Sequence, residues 1–413
     1  MDAQLRMHAE KIVAGAIRAV LPDEAVKQAL KGKTFPGRVI LVAVGKAAWQ
    51  MARAAAEILE TPIDRGIVIT KYHHANGPIP GVVCREASHP VPDENTFRAT
   101  EEALEMVSGL AQQDTVLFLL SGGGSALFEK PLVAGEELRD ITGQLLACGA
   151  DILEINAIRK RLSAVKGGRF AQLCAPAQVV SIVLSDIVGD PLDMIASGPA
   201  CADRSTCAEA VAVAEKYNLQ LSQKAWELLR QETPKELSNV TTQITGSVRQ
   251  LCAAAEGICR DLGYTPVLLT DSLGGEAKVA GRYLAEELKK YAGTGKNIAL
   301  IAGGETVVKV TGNGLGGRNQ ELALSAAEVI AGISGAALFS IGSDGTDGPT
   351  DAAGGYVDSQ TADALHAQGI TVNDVLQNND AYHALEKVNG LIITGPTGTN
   401  VNDVAVALLR QGE

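Results

Sequence analysis

Aromatic residues are scarce in this chain: Phe, Trp and Tyr make up 4% of its 413 residues. A core of large rings is excluded, so the interior must be assembled from Ala, Val, Leu and Ile, as in buried parallel sheets. Long apolar runs are missing as well, and none approaches the roughly 18 residues needed to span a bilayer. The segment up to Leu30 alternates apolar positions (Leu5, Ile12, Val13, Ile17, Val20, Leu21) with charged ones. That is helical periodicity without the unbroken apolar stretch of a signal peptide. The seven cysteines (Cys84, Cys148, Cys174, Cys201, Cys207, Cys252, Cys259) include no C-x-x-C pair. A zinc site and a disulfide framework are thereby excluded, and the thiols read as small buried hydrophobes in a reducing compartment. A basic surface is also lacking. The formal net charge of −12 excludes a nucleic-acid partner, because phosphate backbones need clustered Lys and Arg. The expectation is a cytoplasmic protein with neither membrane nor nucleic acid as partner.

What is present is an alternation of short apolar runs with longer helical patterns. Strands are expected at Arg38–Val44, Gly66–Thr70, Val82–Glu86, Thr115–Leu120 and Val179–Leu184. Helices are expected at Lys46–Leu59 and Asp93–Leu110, with Asp93 as N-cap, and through much of Ala134–Val165. This rhythm implies an α/β fold with a parallel sheet. The polar stretch Glu232-Thr233-Pro234-Lys235-Glu236 marks a boundary, giving domains 1–235 and 236–413. In the second, Thr265–Thr270, Ile298–Ala302, Thr306–Val310 and Ala336–Ile341 read as strands, and Ser247–Leu262, Glu276–Ala292 and Asn319–Ala331 as helices. The short turn Ala302-Gly303-Gly304-Glu305 implies an antiparallel pair and a mixed sheet.

The glycine-rich loops follow strands. Gly312-Asn313-Gly314-Leu315-Gly316-Gly317-Arg318 leads into a helix start, where backbone N–H groups favour an anion, and Arg318 adds a cationic fork. The spacing also matches G-x-G-x-x-G, but no acidic residue is well placed for a ribose. Gly314, Gly316 and Gly317 are therefore read as phosphate-binding. Gly45-Lys46 follows the first strand without completing a P-loop, since residue 40 is Ile and residue 47 is Ala. A Lys beside a positive helix end is better explained by an anionic ligand than by helix stability. Ser121-Gly122-Gly123-Gly124-Ser125 lets a ligand approach the backbone and offers two hydroxyls. It is no nucleophile elbow, because residue 127 is Leu. Asn156, Arg159, Lys160, Lys166 and Arg169 form a basic patch suited to carboxylate or phosphate. Asp186, Asp190 and Asp193 follow one strand and Asp344, Asp347 and Asp351 another, hard oxygen ligands suited to Mg²⁺. The histidines His73, His74 and His89 fit no metal spacing and read as neutral structural residues.

Together with Ser88-His89-Pro90-Val91-Pro92-Asp93, Ala196-Ser197-Gly198-Pro199 and Gly303-Gly304-Glu305-Thr306, these motifs resemble the class II glycerate kinases, the glycerate 2-kinase group with a MOFRL domain, from about residue 5 to about residue 405. The resemblance implies a Rossmann-like parallel-sheet N-terminal domain, a mixed-sheet C-terminal domain and a site in the cleft between them. It implies phosphorylation of D-glycerate at the 2-hydroxyl with ATP and Mg²⁺, by a monomer or homodimer. Lys46 and Arg318 carry over as catalytic, and Asp186 is assigned beside them. Ser121, Gly122, Gly123, Gly124, Ser125, Arg159 and Lys166 are expected to bind substrate or phosphate, and Asp344, Asp347 and Asp190 to hold metal. His73 stands where similar chains tend to show Gly, and Arg161 where His is common. Two other readings remain: an NAD(P)H-dependent hydroxypyruvate reductase and a non-catalytic binding module. Against the reductase, the first strand lacks G-x-G-x-x-G and the second ends Ile69-Thr70-Lys71, with no acid for a ribose.

Overall fold

A computed structural model describes residues 2–59 and 61–411. It forms two compact units. One comprises Pro22–Ser185 and Asp190–Thr245. The other comprises the described residues up to Leu21, Asp186–Gly189, and those from Gly246 onward. The sequence reading put the change of domain at 235/236; in the structure the chain changes unit at 21/22, 185/186, 189/190 and 245/246.

In the first unit, six strands are β1 (Val39–Val44), β2 (Arg65–Lys71), β3 (Val82–Ala87), β4 (Thr115–Leu120), β5 (Gln178–Leu184) and β6 (Val240–Gly246). They lie in the order β3-β2-β1-β4-β5-β6, and β1 to β5 pair in parallel. Every residue of β1 and of β4 is buried, as the unbroken apolar runs predict for strands covered on both faces. This order is doubly wound, with its switch point between β1 and β4. The helix Glu94–Met106 is capped as expected, by a box in which Asp93 and Thr96 bond each other's backbone. The long helical stretch after Ala134 is two helices, Gly135–Ala147 and Ile152–Arg161. Gly149 at φ 73° breaks it, and Asp151 caps the restart. His73 sits at φ 66°, which explains why Gly suits that position.

The second unit holds β7 (Thr265–Leu273), β8 (Ile298–Gly304), β9 (Ala336–Gly342), β10 (Gly354–Asp358), β11 (Leu391–Ile392) and β12 (Asp403–Leu409). Their order is β11-β10-β9-β12-β8-β7. β7 and β8 are parallel, and β12 runs antiparallel between β8 and β9. The sheet is mixed, but not for the reason read from the sequence. Thr306–Val310 is not a strand: Val307 and Val310 are 61% and 76% exposed, and Val307 makes only an isolated bridge to Glu276. β8 is already paired on both edges, so no ladder position remains for a returning strand.

Small side chains do the packing that aromatics do elsewhere. In the helix Ala277–Lys289, a methyl on Gly281 would meet Leu322 O at 1.9 Å, so this helix and Arg318–Ile330 touch backbone to backbone. The first helix, Ala3–Ala19, buries Leu5, Ile12, Val13 and Ile17 in a cluster with Val248, Leu251, Tyr264 and Phe339. Each fully buried Leu or Ile there contributes about 1.5–3 kcal/mol.

Candidate active site

At the switch point the loops after β1 and β4 are sewn together. Lys46 N donates to Gly122 O at 2.9 Å and Ala47 N to Ser121 Oγ at 3.1 Å. Gly45 sits at φ 120°, and a Cβ there would lie 2.2 Å from Ser121 Oγ. The backbone is thus fixed beneath Lys46, whose side chain is exposed and makes no ion pair among the described residues. A Cβ on Gly123 would come 3.1 Å from the His89 ring and 3.3 Å from Lys46 Cγ, so only glycine leaves these two side chains in place. His74 Nδ1 lies 3.1 Å from Lys46 O and donates to it. Burial, then the charges of Lys46, Lys71 and His74, hold the His89 pKa below its ordinary value. The structure therefore gathers His74 and His89 around Lys46, which their spacing in the sequence did not signal.

The hydroxyl of Ser125 lies 3.2 Å from Ser197 Oγ, which donates to Asn156 Oδ1 at 2.9 Å. Arg159 Nη2 donates to Ser125 O at 3.0 Å. Lys166 does not offer its ammonium to a ligand, contrary to the expectation. It is fully buried and bonds Ser125 O at 3.0 Å, Phe128 O at 2.8 Å and Glu129 at 3.0 Å. Burial pushes its pKa down to about 8 against the pull of Glu129. Most of the basic patch is likewise an internal network. Lys160 pairs with Asp203 at 2.9 Å and Asp193 at 3.5 Å, and Arg161 with Glu232 at 3.1 Å. Asp190 sits at φ 52°, and its Oδ1 is buried without a hydrogen-bond partner among the described residues. Asp186 belongs to the other unit, where its carbonyl accepts from Asn402 Nδ2 at 3.3 Å.

In that second unit, Asp403 begins β12 opposite Gly304 of β8 and Gly342 of β9. A Cβ on Gly342 would come 3.5 Å from Asp403 Oδ1, and Arg318 bonds the carboxylate that this glycine leaves room for. Nε donates to Oδ2 at 2.5 Å and Nη2 to Oδ1 at 2.9 Å, while Nη1 lies 3.4 Å from Glu305. Burial outweighs Arg318 and pushes the Asp403 pKa above the ordinary range, whereas the pairing pushes Arg318 up. Sequence reasoning singled out Arg318 and missed Asp403, 85 residues away.

The first part of the glycine loop at 312–317 is taken up by the protein itself. The amides there are bonded within the protein: Thr311 and Gly312 to Asn379 Oδ1 at 2.7 and 2.9 Å, Asn313 to Asn378 Oδ1 at 3.2 Å, and Leu315 to Asp380 Oδ1 at 2.9 Å. Gly314 N donates to Asn378 O at 2.8 Å. A Cβ on Gly314 would meet Asp380 at 2.4 Å, one on Gly316 would approach Ala381 N at 3.3 Å, and one on Gly317 would meet Asp347 at 2.3 Å. These glycines admit neighbouring protein. The anion at the helix start is the protein's own. Asp347 accepts from Asn319 N at 3.1 Å and Gln320 N at 2.8 Å, and burial raises its pKa to about 6. Asp347, expected to hold metal, is thus already engaged by the helix start. Asp344 keeps one oxygen in a turn with Thr346 N at 3.0 Å. Among the described residues, no group of three or more His, Cys, Asp or Glu could hold a metal by itself.

Comparisons with known proteins cover nearly the whole chain. Residues 8–230 match a domain of unknown function, DUF4147, and residues 298–403 match the MOFRL family. A D-glycerate 2-kinase of Thermotoga maritima is 54% identical, over 98% of this chain and 98% of its own length. A glycerate 2-kinase of Pyrococcus horikoshii is 40% identical over 97% and 96%. A protein of Agrobacterium vitis, provisionally named a hydroxypyruvate reductase, is 37% identical over 99% and 95%. The crystal structure of a glycerate kinase from Thermotoga maritima superposes with a TM-score of 0.95, at 53% identity over 99% of this chain and 100% of that one.

Proposed function

This chain belongs to the glycerate 2-kinases that carry a MOFRL domain, and we propose how its residues divide the work of phosphoryl transfer. The enzyme moves a phosphoryl group from ATP to the 2-hydroxyl of D-glycerate, giving 2-phosphoglycerate and ADP. Such transfer demands positioning and neutralisation of charge more than covalent chemistry. The observation that carries the assignment is Lys46. Its exposed ammonium has no carboxylate partner among the described residues and stands over Gly122–Gly124 at the β1/β4 switch point, where doubly wound sheets bind ligands. Lys46 meets the transferring phosphoryl group, and Ser121 to Ser125 line the approach. Arg318 is the second cation, its fork oriented by Asp403. Asp186 takes the proton of the attacking hydroxyl.

When bound with ATP, Mg²⁺ offsets charge on the phosphates. One or two protein carboxylates would suffice to hold it beside its waters, so a three-ligand cage is not required. The unpartnered Oδ1 of Asp190 fits that demand best, and Asp344, with an oxygen outside its turn, is the alternative. The partners are small molecules, and the protein acts as a monomer or homodimer. No described helix is long and apolar enough to cross a membrane, and all seven cysteines are free, which supports a cytoplasmic setting. A nicotinamide role gains nothing from the fold, since β2 ends at Lys71, where a ribose would need an acid.

The test pairs two assays on the purified chain: ADP release with ATP and D-glycerate, and NADH oxidation with hydroxypyruvate. Turnover only in the first, with phosphorus NMR placing the phosphate on C2, is expected. Turnover only in the second overturns the reading.

A further inference from the structure

We infer that Arg159 is the carboxylate receptor for glycerate, the residue that makes the enzyme select an acid over a neutral diol; this rests on the kinase reading above. Its neighbours Lys160, Arg161 and Lys166 each have a carboxylate, in Asp203, Glu232 and Glu129 respectively. Arg169, further along the patch, bonds only the Arg161 and Ser163 carbonyls, and Arg159 pairs with no carboxylate among the described residues. Its Nη2 bonds only a carbonyl, Ser125 O at 3.0 Å, and its Nε is buried without a partner. It also lies near enough to Lys166 to help push that ammonium's pKa down. A half-buried cation beside another cation, with a dry and unbonded N–H, is unfavourable unless an anion completes it.

The surroundings define which anion. Arg159 is tied to the loop that closes β4, at the switch point, so its ligand is the small substrate there. Beside it run the hydroxyls of Ser125 and Ser197 and the amide of Asn156. A planar guanidinium takes a planar carboxylate through parallel N–H bonds, and a chain of hydroxyls suits the alcohols of a dihydroxy acid. A carboxylate entering beside Ser125 pairs with the exposed side of the guanidinium, and a turn of that group toward it relieves Nε. Lys166 then serves as a positioning residue, holding the Ser125 and Phe128 carbonyls in place.

The experiment compares D-glycerate with its uncharged amide, D-glyceramide, in the full-length enzyme and in Arg159→Gln and Arg159→Lys. The unaltered enzyme should favour glycerate by about 100-fold or more in kcat/KM, because a site built for one polar group rejects the analogue lacking it. In Arg159→Gln that preference should collapse to within about 3-fold, mostly through the KM for glycerate, with the KM for ATP little changed. Arg159→Lys keeps the charge without the fork and should retain an intermediate preference. Equal loss on both substrates, or a rise confined to the KM for ATP, overturns the inference. Absence of glycerate phosphorylation by the unaltered enzyme would instead overturn the kinase reading on which it rests.

Discussion

Arg318→Ala should damage the fold as well as the chemistry, because the structure makes Arg318 half of a buried pair. Its side chain is 32% exposed and that of Asp403 is 9% exposed. Truncation removes two charge-assisted bonds and leaves a carboxylate at the end of β12 with Glu305 and Asp347 nearby. Removing one partner of a buried pair costs about 3–5 kcal/mol, and the partial exposure of Arg318 places this case near about 3 kcal/mol. Asp403 can limit the loss by taking up a proton. Its pKa in the folded state is already raised by burial, and it rises further without Arg318. A raised carboxyl contributes stability that is present at low pH and lost as pH rises through the folded value. The defect should therefore be larger at pH 8 than at pH 5.5, and Asp403→Asn in the same chain should recover part of it. Calorimetric or far-ultraviolet circular dichroism melts are the assay. Tryptophan fluorescence is the wrong probe, since both tryptophans, Trp49 and Trp226, lie in the unit that lacks Arg318. Turnover should fall by about 10³-fold in the same variant. A variant that melts with the unaltered protein at pH 8 would refute the energetic role of the Arg318–Asp403 pair.

Lys46→Ala should lower kcat by about 10³-fold with an unshifted melt, because this exposed side chain has no ion pair to lose; a shifted melt with normal kcat would remove it from the site. EDTA should abolish activity and Mg²⁺ restore it, and Asp190→Asn should raise the Mg²⁺ needed for half-maximal rate more than Asp344→Asn does. The reverse order would move the metal to Asp344. Burial raises Asp347 from an ordinary 3.8 to about 6, so its contribution is complete below the unfolded value and lost as pH rises through about 6. Asp347→Asn should gain about 1.4 kcal/mol on the unaltered protein between pH 5 and pH 7.5 in denaturant titrations. A pH-independent difference would show that Asp347 does not titrate there.

Much of the fold was legible because its determinants are local. Val39–Val44 and Thr115–Leu120 carry six consecutive apolar or β-favouring residues each, and such a run has few other uses than a strand covered on both faces. The errors came where the deciding fact is elsewhere in the chain. Thr306–Val310 has strand composition, but whether it pairs depends on β12 having taken the edge of β8, a partner about a hundred residues downstream in the sequence. The amphipathic pattern of Ala3–Ala19 says that one face is buried. It cannot say that the cover is Val248, Leu251 and Phe339.

The site divides along the same line. Gly45-Lys46 and Ser121–Ser125 could be read because each lies directly after its own strand, and strand ends at a switch point are where ligands bind. The loop at 312–317 is harder to read from sequence. Glycine spacing reports that something approaches the backbone closely, and it does not say whether that is a phosphate or the protein's own chain. Here Asn378, Asn379 and Asp380 take the amides of Gly312 to Leu315, and Asp347 takes Asn319 N and Gln320 N. Part of the helix start is occupied by an internal anion, the carboxylate of Asp347. The same logic in reverse points to Arg159: Lys160, Arg161 and Lys166 found internal carboxylates and Arg169 bonds the Arg161 and Ser163 carbonyls, whereas Arg159 has no carboxylate among the described residues and, beside the loop after β4, keeps a buried Nε with no partner.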